Sequence, residues 1–125
     1  MMRPGYSSQL LHCFFNMTHA GELNGINVAM AEYGAALNSE VIQLFLSIEN
    51  NGISQARFKA YGSPALLGGA EYLCCWLESH TLEQATCLHA HQLLADLELP
   101  PVKVHVVSML EKVLKKCLES LQETR

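Results

Sequence analysis

The run Asn50-Asn51-Gly52 constrains the fold more than any other local feature. It follows VIQLFLSI over 41–48, which is β-branched and apolar, and it precedes ISQARFKA over 53–60. Because Asn-Gly tolerates the positive φ angles of tight turns, the two segments are expected to pair as a hairpin. A further strand is predicted upstream, where larger apolar residues alternate with smaller or polar ones: Ile26, Val28 and Met30. The pattern predicts a three-stranded antiparallel meander.

Helical patterns flank this β region on both sides. Pro64 suits the first turn of a helix, although Gly68-Gly69 weakens that prediction locally, and Thr81 and Gln84 form a capping box. After the break at Pro100-Pro101, apolar residues recur at 3.6-residue spacing, which is typical of an amphipathic helix. The predicted helices cover 7–17, 64–78, a short segment from Thr81, 89–97 and 102–121.

The order of one helix, three strands and then helices predicts an α+β fold. We expect the helices to pack on one face of the sheet, with a long helix at the C-terminus. A length of 125 residues suggests a single domain, 1–125. Half of the residues are apolar and 16% are charged, which is the composition of a globular protein. The net charge is −4 and there is no basic block, so nucleic-acid binding is not expected.

The five cysteines are odd in number and include an adjacent pair, which argues against a disulfide framework. Free thiols indicate a reducing compartment. The first nine residues lack the apolar run of a signal peptide, and no stretch approaches the ~20 apolar residues of a membrane helix. We therefore expect a soluble cytoplasmic protein without a membrane partner.

Three further stretches carry family-level information: ARFKAYG over 56–62, Trp76 followed by SHTLEQA over 79–85, and LELPPVKVH over 97–105. Together they resemble the U-type iron–sulfur cluster assembly scaffold family, which includes the IscU type and the N-terminal domain of the NifU type. The match runs from about Phe15 to the end of the chain with few gaps. The resemblance implies an α+β fold of this type and a site at one end of the molecule that assembles a [2Fe–2S] cluster or holds iron or zinc.

The same resemblance implies three cluster-ligand cysteines, and each of these positions holds another residue here. Asn38, Ser63 and Val106 stand in their places. The acidic position is kept as Glu40 and the histidine as His105, which leaves a weak, residual metal site. A thiolate-rich structural zinc site is worth about 10–16 kcal/mol, and one imidazole with one carboxylate is worth far less. We expect no stably bound cofactor, although the family would imply [2Fe–2S], iron or zinc.

One family segment is intact, and it consists of Leu99, Pro100, Pro101, Val102 and Lys103. The resemblance implies that a heat-shock-type chaperone, helped by its J-type co-chaperone, recognises this segment, and that a cysteine desulfurase is a further partner. A Pro-Pro step is extended and poor in backbone donors, which suits capture as a peptide. It also serves simply to end one helix before the next begins, and both roles remain open.

Two functions follow from the resemblance. The first is an iron–sulfur cluster assembly protein of the scaffold type that is degenerate and unable to hold a stable [2Fe–2S] cluster. The alternative is an adaptor that binds the chaperone or the desulfurase without carrying metal. Neither is an enzyme, and the chain has no glycine-rich phosphate loop and no nucleophile elbow. A nucleophile–base pair of Ser63 with His105 has only family geometry in its favour.

The cysteines that are present favour structural roles. Neighbours on a helix point about 100° apart, so Cys74 and Cys75 do not both face one ion, and we expect Cys74 in the core and Cys75 at its margin. If they lay on one helix, Cys87 and His91 would share a face and offer two metal ligands. Two ligands do not make a closed site, so a solvated or capping role is favoured. The thiols expected to pack as small hydrophobic groups are Cys13 and Cys117.

Overall fold

The structure of the protein is a computed structural model that describes residues 6–35, 40–99 and 104–123. Its sheet contains β1 (Val28–Ala35), β2 (Glu40–Glu49) and β3 (Gly52–Tyr61), antiparallel and in the order β1-β2-β3. Asn50 and Asn51 have φ angles of 52° and 63°, the left-handed values that a tight turn between β2 and β3 requires. The predicted meander and its hairpin are confirmed.

The helices agree closely with the sequence pattern. Ser7 and Ser63 cap the first two helices, and Thr81 and Gln84 form the expected capping box. The first two positions of the predicted last helix, 102 and 103, lie outside the described residues. No helix among those described is long and apolar enough to cross a membrane. The helices are α1 (Ser8–Phe15), α2 (Pro64–Glu78), α3 (Leu82–Thr86), α4 (Ala90–Leu97) and α5 (Val104–Glu123).

The core lies between one face of the sheet and the helices α2 and α5. On β2 this face carries Ile42, Leu44 and Leu46, which are all fully buried. Leu44 pairs with Ala31 on β1 and with Phe58 on β3, so a continuous apolar row crosses the sheet. Helix α5 packs against β1 and β2, and α2 packs against β3. The predicted α+β architecture with helices on one face is confirmed.

Strand β1 presents its small residues to this core. Ala29 and Ala31 are buried, whereas Met30 is half exposed and Ile26 is fully exposed. The strand begins at Val28, two residues later than the alternation predicts. Alanine side chains leave room for α5 to approach β1, so the larger apolar residues are not the ones that face the helix.

Gly68 and Gly69 lie where α2 meets two other helices. A Cβ on Gly68 would lie 2.8 Å from Leu10 Cδ1 on α1, and one on Gly69 would lie 2.9 Å from Leu110 Cδ1 on α5. A Cβ at either position would force a neighbouring group to shift, and glycine avoids this. Packing on both sides offsets the helix-propensity cost of about 1 kcal/mol per glycine, which is why the helix continues through them.

The segment that follows α1 runs along the outer edge of β3. The Phe58 N–H donates to the His19 carbonyl at 3.0 Å, and the Gly21 N–H donates to the Phe58 carbonyl at 2.8 Å. Ala20 forms a parallel bridge with the same strand residue. This pairing fixes the loop and places the His19 side chain beside α2, where it contacts Glu71.

Candidate functional site

Glu40 and His105, the retained pair of the predicted site, are in direct contact. Glu40 is the first residue of β2, and His105 is the second residue of α5. The distance from His105 Nε2 to Glu40 Oε1 is 2.7 Å. Glu40 is 7% exposed, whereas the His105 side chain is 44% exposed. The fold thus brings the carboxylate and the imidazole together at the end of the molecule where β2 and α5 begin.

Ser63, which stands at a family cysteine position, holds a structural role next to this pair. Its N–H donates to Glu40 Oε2 at 3.1 Å, and its hydroxyl accepts from the Leu66 N–H at 3.4 Å as the N-cap of α2. Burial raises the pKa of Glu40, but hydrogen bonds from His105 and Ser63 outweigh burial and hold that pKa below its ordinary value. The His105 imidazole therefore pairs with a carboxylate, which disfavours the Ser63–His105 nucleophile hypothesis.

Val106, at a second family cysteine position, is a core residue. It is 0% exposed and belongs to the apolar cluster between the sheet and the helices. Asn38, at the third position, lies outside the described residues. The site therefore offers one carboxylate, one imidazole and one capping hydroxyl among the residues described. Iron–sulfur clusters are held mainly by thiolates, so the residues present do not fit a [2Fe–2S] cluster.

The segment predicted to bind a chaperone is described at its first residue, Leu99. That side chain is 8% exposed and packs in the core cluster. The other members, Pro100, Pro101, Val102 and Lys103, lie outside the described residues. Just upstream, the Ser7 hydroxyl donates to the Leu97 carbonyl at 2.8 Å and ties the end of α4 to the start of α1.

The five cysteines are all free thiols. Cys74 is fully buried and Cys75 is exposed, as predicted from their positions on one helix. Cys13 and Cys117 are buried in the apolar interior, as expected of small hydrophobic groups. Burial raises the pKa of Cys117 to about 12, so this thiol stays protonated at neutral pH.

The alternative of a two-ligand site on one helical face is excluded for Cys87 and His91, and the favoured capping role is found at Cys87. Helix α3 ends at Thr86 with Cys87 as its C-cap, and α4 begins only at Ala90. The two residues therefore belong to different elements, because α3 is too short to include both.

A second polar cluster lies farther along α2 and combines three types of metal-ligating atom. His19 Nδ1 is 2.7 Å from Glu71 Oε2, and Cys75 Sγ is 3.4 Å from the same oxygen and 3.8 Å from His19 Nδ1. Glu71 is buried, at 2% exposure, and its other oxygen accepts from the His19 N–H at 2.9 Å. The Thr18 hydroxyl also donates to Glu71 Oε2, at 3.2 Å.

The second ring nitrogen of His19 contacts another carboxylate, Glu78. The Nε2–Oε1 distance is 2.8 Å. Glu78 Oε2 is itself fixed by the Ala56 N–H at 2.8 Å and by Arg57 Nη1 at 3.0 Å. Burial raises the pKa of Glu78, but hydrogen bonds from the Ala56 N–H, His19 and Arg57 outweigh burial and hold that pKa below its ordinary value. The imidazole of His19 is thus clamped between two carboxylates.

Neighbouring groups shift the pKa values of the Cys75 thiol and the His19 imidazole. Burial and the adjacent Glu71 raise the pKa of Cys75 to about 12, so the thiol keeps its proton when no cation is near. Burial lowers the pKa of His19, but hydrogen bonds to Glu71 and Glu78 outweigh burial and raise it above its ordinary value.

The sequence contains a partial signal for this cluster. Glu71, Cys75 and Glu78 are spaced i, i+4 and i+7, which places them on one face of a helix. His19 has no such signal, because it reaches the cluster through the pairing of its loop with β3.

Comparison with known proteins gives consistent relatives. The family model described as the NifU-like N terminal domain matches residues 5–125. The iron–sulfur cluster assembly scaffold protein IscU of Haemophilus influenzae is 31% identical over 116 residues, covering 90% of this chain and 92% of that protein. The protein of the same name from Escherichia coli K12 is 27% identical over 123 residues, covering 96% of each.

The fold has a clear neighbour among solved structures. The crystal structure of a nitrogen-fixing NifU-like protein (N-terminal) from Brucella abortus superimposes with a TM-score of 0.73 and covers 95% of both chains at 12% identity. An identity this low supports the fold alone, and the sequence match carries the family assignment. Because the family model spans nearly the whole sequence, the chain belongs to the NifU-like N-terminal domain family.

Proposed function

We propose that the protein takes part in iron–sulfur cluster assembly as a scaffold-like protein that holds no stable [2Fe–2S] cluster at the family position. The observation that carries this proposal is the use of two family cysteine positions for folding. Val106 is fully buried, and Ser63 caps α2 while holding Glu40. The third position is Asn38, which supplies no thiolate.

The residual donors Glu40 and His105 offer a weak site for Zn²⁺ or Fe²⁺. The imidazole is exposed enough to be reached by an ion, but the carboxylate is engaged by Ser63 and His105. Two protein ligands leave at least two positions of a tetrahedral ion to water, so binding there is readily reversed.

Restoring the missing thiols tests the assignment of positions. Zinc affinity is measured for N38C/S63C/V106C, with C75S added to remove the exposed thiol of α2. The matched control is N38C/S63C/V107C in the same background, because neighbouring helix positions point about 100° apart. We expect a clear gain in zinc affinity for the first variant over the control. Equal affinities would contradict the positional assignment.

An adaptor role is the alternative within the same pathway. It rests on the intact segment Leu99 to Lys103, with a heat-shock-type chaperone, its J-type co-chaperone or a cysteine desulfurase as partner. In this role, as in the first, the protein is not an enzyme. The free state of all five cysteines suits a reducing compartment, and we place the protein in the cytoplasm.

The adaptor role is tested by stimulation of chaperone ATPase activity. A peptide spanning 97–105 is compared with the same peptide carrying P100A and P101A, and with the whole protein. Stimulation that depends on the prolines supports the role. No stimulation by either the peptide or the whole protein would remove it.

A further inference from the structure

We propose that His19 Nδ1, Glu71 Oε2 and Cys75 Sγ form a binding site for a divalent transition-metal ion of the zinc class. The three atoms lie 2.7, 3.4 and 3.8 Å from one another. Ligands about 2.0–2.3 Å from Zn²⁺ are separated by roughly 3.3–3.8 Å in a tetrahedron. The two distances to sulfur already fall in this range, and the nitrogen–oxygen distance has to open by about 0.6 Å.

The surroundings of His19 are those of a metal-bound histidine. Its second nitrogen, Nε2, contacts the Glu78 carboxylate at 2.8 Å, and the Ala56 N–H and Arg57 hold that carboxylate in place. Histidines that bind metal through one nitrogen usually donate the other N–H to a carboxylate, which fixes the ring and its tautomer. Glu78 would therefore position the ring while Nδ1 faces the ion.

Charge balance favours a divalent cation at this place. Glu71 is buried, and its carboxylate together with a Cys75 thiolate supplies the two negative charges that neutralise such an ion. Arg57 balances Glu78 separately, at 3.0 Å. On binding, the ion replaces the thiol proton of Cys75 and any proton on His19 Nδ1, and these protons pass to solvent.

Solvent exposure and the number of protein ligands determine whether an ion can exchange at this site. Cys75 is exposed, and the His19 side chain is 15% exposed, so an ion can enter from solvent. Three protein ligands leave a fourth position for water, as in zinc sites that keep an open position. We therefore expect an exchangeable ion.

This site is distinct from the family position and does not depend on the proposed function. Cys75 follows Ser63 by twelve residues on α2, which corresponds to about 18 Å along the helix axis. Glu40 and His105 lie at the other end and contain no sulfur. A sulfur-specific signal therefore separates the two sites.

The test uses Co²⁺ alone as the probe with metal-free, full-length protein. We expect a thiolate-to-cobalt charge-transfer band that Zn²⁺ abolishes by competition. C75S should lose the band, whereas C87S, which alters an exposed cysteine outside the cluster, should keep it. Circular dichroism establishes that each variant is folded, and both positions are exposed, so folding should persist.

Three other results would contradict the proposed metal site. Absence of the band in the unaltered protein, its survival in folded C75S, or its loss in C87S would each overturn the proposal.

Discussion

His105 Nε2 lies 2.7 Å from Glu40 Oε1, although 65 positions separate the two residues in the chain. The contact joins the start of β2 to the start of α5, and the Ser63 N–H completes it from the start of α2. Three elements therefore converge on one buried carboxylate. Two residues that would be minor donors of a cluster site instead link the elements that surround that site.

Replacing Glu40 tests the role of this carboxylate in stability. The folded-state pKa of Glu40 lies below its ordinary value, so its contribution is present above about pH 4.3 and is lost as the pH falls through the folded-state pKa. We expect Glu40→Gln to lower the free energy of unfolding at pH 7 by about 1.5–3 kcal/mol. The loss of stability on acidification should be smaller in the variant than in the original protein.

The measurement is urea denaturation at a series of pH values, with Glu49→Gln as the control. Glu49 is an exposed glutamate at the end of β2. Its substitution should leave both the stability and the pH profile nearly unchanged. Identical pH profiles for Glu40→Gln and the original protein would show that the carboxylate is not stabilised by its contacts.

Ser63 is expected to stabilise α2 as its N-cap. Ser63→Ala removes the acceptor for the Leu66 N–H and should cost about 0.5–2 kcal/mol. Ser63→Asp keeps an acceptor but brings a second carboxylate next to Glu40, so Ser63→Asn is the better matched variant and should retain most of the stability. Thermal unfolding compares the original protein with Ser63→Ala and Ser63→Asn. Equal midpoint temperatures for these two variants would exclude a capping role.

Val106 is expected to behave as a core residue. Val106→Ala removes buried methyl groups from a fully buried side chain and should cost about 2 kcal/mol or more. Val106→Cys conserves more of the volume and should cost less than about 1.5 kcal/mol. Chemical denaturation provides the values. A negligible effect of the alanine variant would mean that this position is not packed as the structure has it.

Glu78 is expected to strengthen metal binding without touching the ion. Glu78→Gln keeps an acceptor for the Ala56 N–H but removes the charge beside His19 Nε2, and it should weaken Co²⁺ binding about 10–100-fold. The band position should persist, because the sulfur ligand is unchanged. Glu83→Gln, an exposed glutamate on α3, is the control and should bind cobalt normally. An unchanged affinity in Glu78→Gln would show that this carboxylate does not support the ring.

Local sequence rules account for most of the fold. The Asn50-Asn51-Gly52 turn, the Thr81–Gln84 capping box and the apolar period of α5 all depend on nearby residues, and the structure has each of them. Nearby residues do not determine which face of β1 packs against the core. Its alanines are selected by the approach of α5, a helix distant in sequence.

The candidate sites also differ in how far the sequence predicts them. The contact of Glu40 with His105 follows from the family resemblance, which fixes where both residues lie. The His19 cluster does not, because it requires the loop after α1 to pair with β3 before the ring can reach Glu71. Only the α2 face carrying Glu71, Cys75 and Glu78 is visible as a spacing in the sequence.

The most direct test of the central claim is anaerobic reconstitution of the unaltered protein with iron, sulfide and reductant. After removal of unbound metal, the visible spectrum is recorded and iron and sulfide are quantified. With Asn38, Ser63 and Val106 in place of thiolates, we predict no stable chromophore and no stoichiometric iron and sulfide. A stable [2Fe–2S] spectrum with matching iron and sulfide contents would contradict the account.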